Sequence, residues 1–258
     1  MREHESFSSF NTYLRCPKQY EFRYCQGIKT PPAVAIIEGS AGHKASEFNY
    51  KQKVESRQDL PLADILDVFS AEYDTRVPEI EDWEDSSFAV SKDSMIKVMK
   101  CAHADLFPTV QPVEVEKKFE VEVMPGRVLL AYRDVKDESG VIRDSKFTKR
   151  AKSQADADND LQLSIYSYLD KSPRVAFDCL VKTKIPKAVS IFSTRGPQHW
   201  ARLEHMIPAV LDAIDKQAFP PCDPSSWACS EKFCGYWRIC QYGGKNTNPL
   251  IIDMGEIL

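Results

Sequence analysis

Two aspartates and a lysine within one short ribbon restrict the possible folds of this chain more than any other feature. Val128–Lys146 reads VLLAYRDVKDESGVIRDSK. Two runs rich in strand formers, Val128–Asp134 and Val141–Lys146, flank the polar turn Lys136–Gly140, and this predicts a β-hairpin. Side chains alternate along a strand, so Asp144 and Lys146 share a face. Asp134 stands about as far before the middle of the turn as Asp144 stands after it, so a symmetric hairpin sets the two carboxylates opposite each other. Facing like charges cost stability unless something offsets them. A divalent cation would do so, and two carboxylates beside a lysine suit Mg²⁺ or Mn²⁺ and phosphodiester hydrolysis. The competing reading is a charged, solvated edge ribbon, so the rest of the chain must decide.

The chain has 258 residues, enough for one large domain or two small ones. With 43% hydrophobic and 28% charged residues it has the composition of an ordinary globular protein. No apolar run approaches a membrane span, and the start, MREHESFSSF, lacks a signal-peptide hydrophobic region. The expectation is a cytoplasmic protein with no membrane partner. A net charge of −4 excludes a general attraction to nucleic acid, so any such binding must come from local patches. The basic run Lys149, Arg150 and Lys152 is either one of these or a solvated loop. No Gly-rich phosphate loop ending in Lys-Ser/Thr is present, so any unwinding must come from a partner.

Ser6–Tyr24 reads as a helix with Ser8 and Ser9 as candidate caps and a break at Cys16-Pro17, followed by a linker at Gln26–Pro32. Val34–Tyr50, Leu62–Arg76 and Ser91–Leu106 are further helices, with Glu79–Asp85 as a solvated acidic link. Small residues in Gly39-Ser-Ala-Gly-His43 permit close approach of another backbone, and His43 opens a polar face that includes Glu47. Val113–Val123 alternates as a strand and leads through Pro125-Gly126 into the hairpin. Then come a helix over Asp158–Asp170, a strand over Val175–Thr183 and a helix over Pro197–Lys216. Asp158 to Asp160 suit the positive end of their helix, and Gln162 and Tyr166 share one of its faces. Alternating helices and strands around one hairpin predict a single α/β domain.

Eight cysteines in a cytoplasmic protein point to metal ligation or thiols rather than to a disulfide framework. Cys229, Cys234 and Cys240 stand close together among aromatics, with Cys16 as a distant fourth ligand, replaceable by Cys222. Four thiolates suit Zn²⁺ as well as an iron–sulfur cluster. The lack of Cys-x-x-Cys knuckles favours the cluster, and unligated buried thiols are the remaining alternative. Cys25 and Cys179 read as core residues, Cys101 and His103 as structural ones.

Taken in order, these motifs resemble the PD-(D/E)XK nuclease superfamily. The similarity is to its RecB-like exonuclease branch with a four-cysteine iron–sulfur cluster, which has CRISPR-associated, AddAB-type and phage relatives. It rests on Cys16-Pro-Lys-Gln-Tyr20, Gly39-x-x-x-His43, Asp134, Asp144-Ser-Lys146, Gln162-x-x-x-Tyr166 and the C-terminal cysteines. The resemblance implies a restriction-endonuclease-like α/β core over residues 1–258, its central mixed sheet of about four strands flanked by helices. Within it, 39–110 would be largely helical, 113–183 the catalytic sheet and helix, and 222–240 with Cys16 the cluster-binding staple.

The same resemblance implies roles. Asp134, Asp144, the main-chain carbonyl of Ser145 and His43 would ligate Mg²⁺ or Mn²⁺. Lys146 would orient or activate the attacking water, and Gln162 and Tyr166 would position Lys146 and the DNA backbone. Cys16, Cys229, Cys234 and Cys240 would hold a [4Fe–4S] cluster. Glu116 matches an acidic position less securely. Ala131, where relatives carry a small glycine, and Asp144, where many carry Glu, are departures that bear on substrate preference. The implied function is a metal-dependent DNA exonuclease acting on single strands or ends in recombination, repair or phage/CRISPR DNA processing. A helicase, an annealing protein or a CRISPR/phage recombination factor would be its partner, in a bacterial, archaeal or phage-infected cell. The alternatives are a non-catalytic nucleic-acid-binding or assembly subunit with the same fold, and a zinc-stapled structural protein.

Overall fold

The structure, a computed structural model, describes residues 4–83 and 86–243. Residues 1–3, the last fifteen residues of the expected domain and positions 84 and 85 of the acidic link lie outside them. The chain divides into two compact units. The smaller comprises Ser8–Thr30 and the chain from Asp212 onward; the larger comprises Pro31–Leu211 with the residues up to Phe7.

The larger unit is built on a mixed sheet of six strands. These are β1 (His4–Ser6), β2 (Pro112–Met124), β3 (Arg127–Asp137), β4 (Ile142–Thr148), β5 (Arg174–Val181) and β6 (Lys187–Thr194). β2 and β3 form a long antiparallel hairpin closed at Pro125-Gly126. Gly126 takes φ +72°, a conformation that glycine adopts at no steric cost after a proline at the preceding turn position. The predicted hairpin, β3 with β4, closes through Gly140 at φ +78°, and the Asp137 carboxylate accepts from the Val141 amide at 2.9 Å.

Pairing between β3 and β4 is confined to Val135 with Arg143 and Lys136 with Ile142. β4 then leaves β3 and runs parallel to β5 from Ile142 to Thr148. On the same edge of β3, β1 pairs parallel with Val128–Leu130, so the edge is unpaired over 131–134 between its two neighbours. A parallel β4–β5 pair needs a crossover, supplied by α6 (Gln154–Asn159) and α7 (Leu161–Asp170).

Three helices, α3 (Val34–Ser56), α4 (Leu62–Arg76) and α5 (Phe88–Cys101), precede the main sheet and share a core of Ile37, Ile65, Phe69, Met95 and Val98. α8 (Pro197–Asp215) follows β6 and buries Leu203, Ile207 and Leu211. In the smaller unit α1 (Phe7–Arg15) and α2 (Pro17–Tyr20) are separated at Cys16, whose extended backbone precedes Pro17 as a proline requires. A turn of π-helix, Glu21–Cys25, follows. The C-terminal stretch is a series of tight turns tied to α1, α2 and the following segment by Tyr13 Oη to the Ala218 carbonyl, Gln19 Nε2 to the Ala228 carbonyl and Tyr236 Oη to the Ile28 carbonyl.

The predicted α/β architecture, with a mixed sheet between helices, is what the structure has, with two strands more than the four expected. Several details differ. Ser8 and Ser9 lie inside α1 rather than capping it, because β1 runs directly into the helix. The helix expected over Asp158–Asp170 is two helices: Asp160 adopts an extended backbone and its carboxylate accepts from the Leu163 amide, capping α7. Cys25 is exposed rather than in the core, whereas Cys179 is fully buried. Small residues in α3 do not admit a backbone: the Phe147 ring lies against Gly42, and nothing comes within 4 Å of a Cβ built at Gly39.

Candidate active site

The splaying of β3 from β4 is what makes the site. Continued by one residue, the register of Val135 and Arg143 would set Asp134 opposite Asp144, as the symmetric hairpin predicts. The ladder stops there instead, and Asp134 Oδ2 accepts the Ser145 amide at 3.0 Å in its place. Strand alternation sends Asp144 and Lys146 to one face, where Lys146 Nζ lies 2.5 Å from Asp144 Oδ2. From α3, His43 Nδ1 comes within 3.3 Å of Asp134 Oδ2, its ring edge-on to Phe147 with centroids 5.4 Å apart.

The site continues onto α7. Lys146 Nζ donates to Gln162 Oε1 at 2.9 Å, and Gln162 Nε2 to Tyr166 Oη at 2.7 Å. The spacing of four puts both residues on one helix face, as read from the sequence. Beneath them Ala131, Tyr166 and Phe177 pack in one core, so the methyl of Ala131 is accommodated.

Electrostatics mark the place as short of positive charge. Asp144 is 1% exposed. Burial pushes its carboxyl up to about 6; Lys146 opposes this and Asp134 adds to it. Glu116, on β2, is pushed up to about 7 by burial, then by the charges of Asp134 and Glu47. Burial disfavours the charged form of His43, yet the hydrogen bond and charge of Asp134 prevail and raise its pKa. Glu116 also has φ +51°, a left-handed conformation that is rare within a strand and a form of strain found at functional sites. Glu47 is the residue that the sequence reading left unassigned; its position four beyond His43 was the available signal.

His43, Asp134, Asp144, Ser145, Lys146, Gln162 and Tyr166 are thus gathered in one place. Among the described residues, no three His, Cys, Asp or Glu side chains are drawn close enough to hold a metal ion. The two carboxylates face His43 and Lys146 respectively. The donor set nonetheless fits Mg²⁺ or Mn²⁺, since Mg²⁺ is typically held by one or two carboxylates with water completing its shell. Asp144 Oδ2, buried and met by the Lys146 ammonium at 2.5 Å, is placed to ligate such an ion.

In the smaller unit Cys16, Cys222, Cys229, Cys234 and Cys240 line one small cavity with Gln19, Phe22 and Tyr236. The four cysteines expected to act together line it without closing to metal-ligand distance, and Cys222 lines it with them. Its thiol is pushed up to about 12, first by burial and then by Cys16 and Cys229. Aromatic packing encloses the place, with Phe22 stacked on Tyr236 at 5.4 Å. Soft thiol donors in that number suit a thiophilic metal or cluster.

No curated protein matches the chain. Among solved structures, a protein from Eubacterium rectale provisionally named an exonuclease superposes with a TM-score of 0.58 at 14% identity, covering 88% of this chain and 87% of that one. The structure of SSO0001 covers 93% of this chain and 86% of its own at 15% identity, with a TM-score of 0.41. The first of these is a likeness of fold. A family model is decisive: that of the PD-(D/E)XK nuclease superfamily matches residues 4–241. The chain belongs to the PD-(D/E)XK nuclease superfamily.

Proposed function

We propose that this protein is a metal-dependent DNA exonuclease acting on single strands or DNA ends. What carries the reading is the meeting of Asp134, Asp144 and Lys146 where β3 and β4 part, with His43 beside them. Asp134, Asp144, His43 and the Ser145 carbonyl would hold Mg²⁺ or Mn²⁺, the ions that nucleases of this superfamily generally use. When bound, such an ion supplies Lewis acidity at the scissile phosphate and acidifies water.

The chain supplies the rest. Lys146, held by Gln162, orients the attacking water with its ammonium and stabilises the charge that develops on the phosphate. Tyr166 fixes the Gln162 amide so that its oxygen, not its nitrogen, faces Lys146. The assignment extends to the RecB-like branch, with Cys16, Cys229, Cys234 and Cys240 holding a [4Fe–4S] cluster. Its setting would be recombination, repair or phage/CRISPR DNA processing in the cytoplasm, alongside a helicase, an annealing protein or a recombination factor. The five-thiol cavity supports the cluster.

The test is anaerobic purification, then incubation with end-labelled single- and double-stranded DNA in Mg²⁺, Mn²⁺ or EDTA. Asp144→Ala and Lys146→Ala should each lose cleavage by at least about a hundredfold. Undiminished activity in either would remove the assigned roles. Iron and sulfide in the wild type, lost in Cys16→Ser, are expected; zinc without iron would overturn the cluster.

A further inference from the structure

A second cavity in the larger unit, of about 330 Å³, is lined by Ala35, Glu38, Trp83, Ser91, Lys149 and Lys182, among others. We propose that it receives one nucleotide of a single DNA strand, the base against Trp83 and the phosphate at Lys149 and the start of α3. The identity of the ligand rests on the nuclease reading above; the site itself does not.

Its position is the first argument. Two elements that carry the catalytic groups run into it from opposite chain directions. Along α3, Ala35 lies eight residues before His43, roughly 12 Å at about 1.5 Å per residue. Along and just past β4, Lys149 lies three residues beyond Lys146, roughly 10 Å at about 3.3 Å per residue. A strand whose phosphate lay at Asp134 and Asp144 would reach this cavity about two nucleotides further along. The volume falls at the lower end of the range of about 300–1,000 Å³ for small-molecule pockets.

Its chemistry is the second. The buried Glu38 carboxylate would repel a phosphate, but Lys182 pairs with it and the Ser91 hydroxyl donates to it at 2.8 Å, so its charge is offset. Lys149 stands exposed at the rim. The Lys182 amide donates to the Thr148 carbonyl at 2.8 Å, tying together the loops that follow β4 and β5. Those loops carry Lys149, Arg150, Lys152, Lys182 and Lys184, a concentration of positive charge in a chain of net charge −4. Val34 and Ala35 bring the positive end of α3, with no side-chain cap and no acid in its first turn, to the same wall. Half-buried Trp83 provides the flat apolar face on which bases stack without regard to sequence.

The test uses the full-length protein and a fluorescein-labelled oligothymidylate, with anisotropy read in EDTA and steady-state cleavage read in Mn²⁺. Trp83→Ala and Lys149→Ala should each weaken binding about 10-fold and raise KM to match, with kcat largely kept, and Trp83→Phe should restore binding. Wild-type affinity and KM in both alanine variants would overturn the cavity assignment while cleavage left the nuclease reading intact. Failure of Trp83→Phe to restore binding would also overturn it. If the wild type binds the oligonucleotide without cutting it and both alanine variants lose that binding, the cavity assignment stands and the nuclease reading falls.

Discussion

Gln162 accepts a hydrogen bond from Lys146 at 2.9 Å, and so a helix dictates where a strand residue holds its charge. Lysine has a long, freely rotating stem, and without that acceptor its ammonium would remain on Asp144 alone. Gln162→Ala should therefore lower kcat about 10- to 100-fold, the usual effect of removing a partner that orients a site residue, with KM for DNA little changed. Steady-state cleavage of a labelled oligonucleotide checks this; a change confined to KM would place Gln162 on the DNA instead.

The two glycines of α3 should respond oppositely to the same substitution. A Cβ at Gly42 would sit 2.5 Å from the Phe147 ring, which also packs against His43. Gly42→Ala should cost about 1–3 kcal/mol and reduce cleavage through His43. Nothing lies within 4 Å of a Cβ at Gly39, so Gly39→Ala should gain about 0.5–1 kcal/mol of helix stability. Urea unfolding of both variants gives the comparison, and equal effects would contradict it.

Glu116 combines a left-handed backbone with a carboxyl pushed up to about 7 by burial and by Asp134 and Glu47. Glu116→Gly should raise stability by about 1 kcal/mol by relieving the backbone. If the carboxylate also contributes to the site, the same variant loses activity as it gains stability. Thermal unfolding and cleavage rates measured side by side decide both points.

Arg133 is fully buried and is held by Glu114 and Asp170 at 2.5 and 2.6 Å. The Glu114 carboxyl is lowered from 4.5 to about 2, chiefly by its hydrogen bond from Lys117 and then by Arg133. A folded-state pKa below the unfolded one means that the contribution is full above about 4.5 and fades as pH falls toward about 2. Glu114→Gln should lower Tm at pH 7, with the difference shrinking as pH falls below about 4.5 and closing only below about pH 2. A constant difference across that range would show that the charge is not responsible.

How far the chain could be read in advance follows from how each feature is encoded. The hairpin aspartates, Lys146 and the Gln162–Tyr166 pair were legible because period-two and period-four spacing convert directly into shared faces. β1 escaped notice since three residues, His4–Ser6, carry no period. β6 is an edge strand, half-exposed along its length, in a stretch to which the sequence pattern assigns no element. The break at Asp160 was hidden because an aspartate suits both the first turn of one helix and the cap of the next. The choice between Gly39 and Gly42 depended on a ring from β4, which local sequence does not specify. Cys222 was left open for the same reason: its neighbours Cys16 and Cys229 are set by the path of the tail.

The brief contact between β3 and β4 has an implication for how such a chain can vary. With two residue pairs to set the phase of β4 against β3, the turn after Asp137 acts as a gauge between these two strands. Lengthening it by one residue would present Arg143 and Ser145 where Asp144 and Lys146 now stand, and would strand Arg143 away from its buried partners Asp137 and Asp178. Insertions are therefore to be sought in the segment from Gln26 to Pro32, while the Asp137–Val141 turn should keep its length wherever the catalytic chemistry survives.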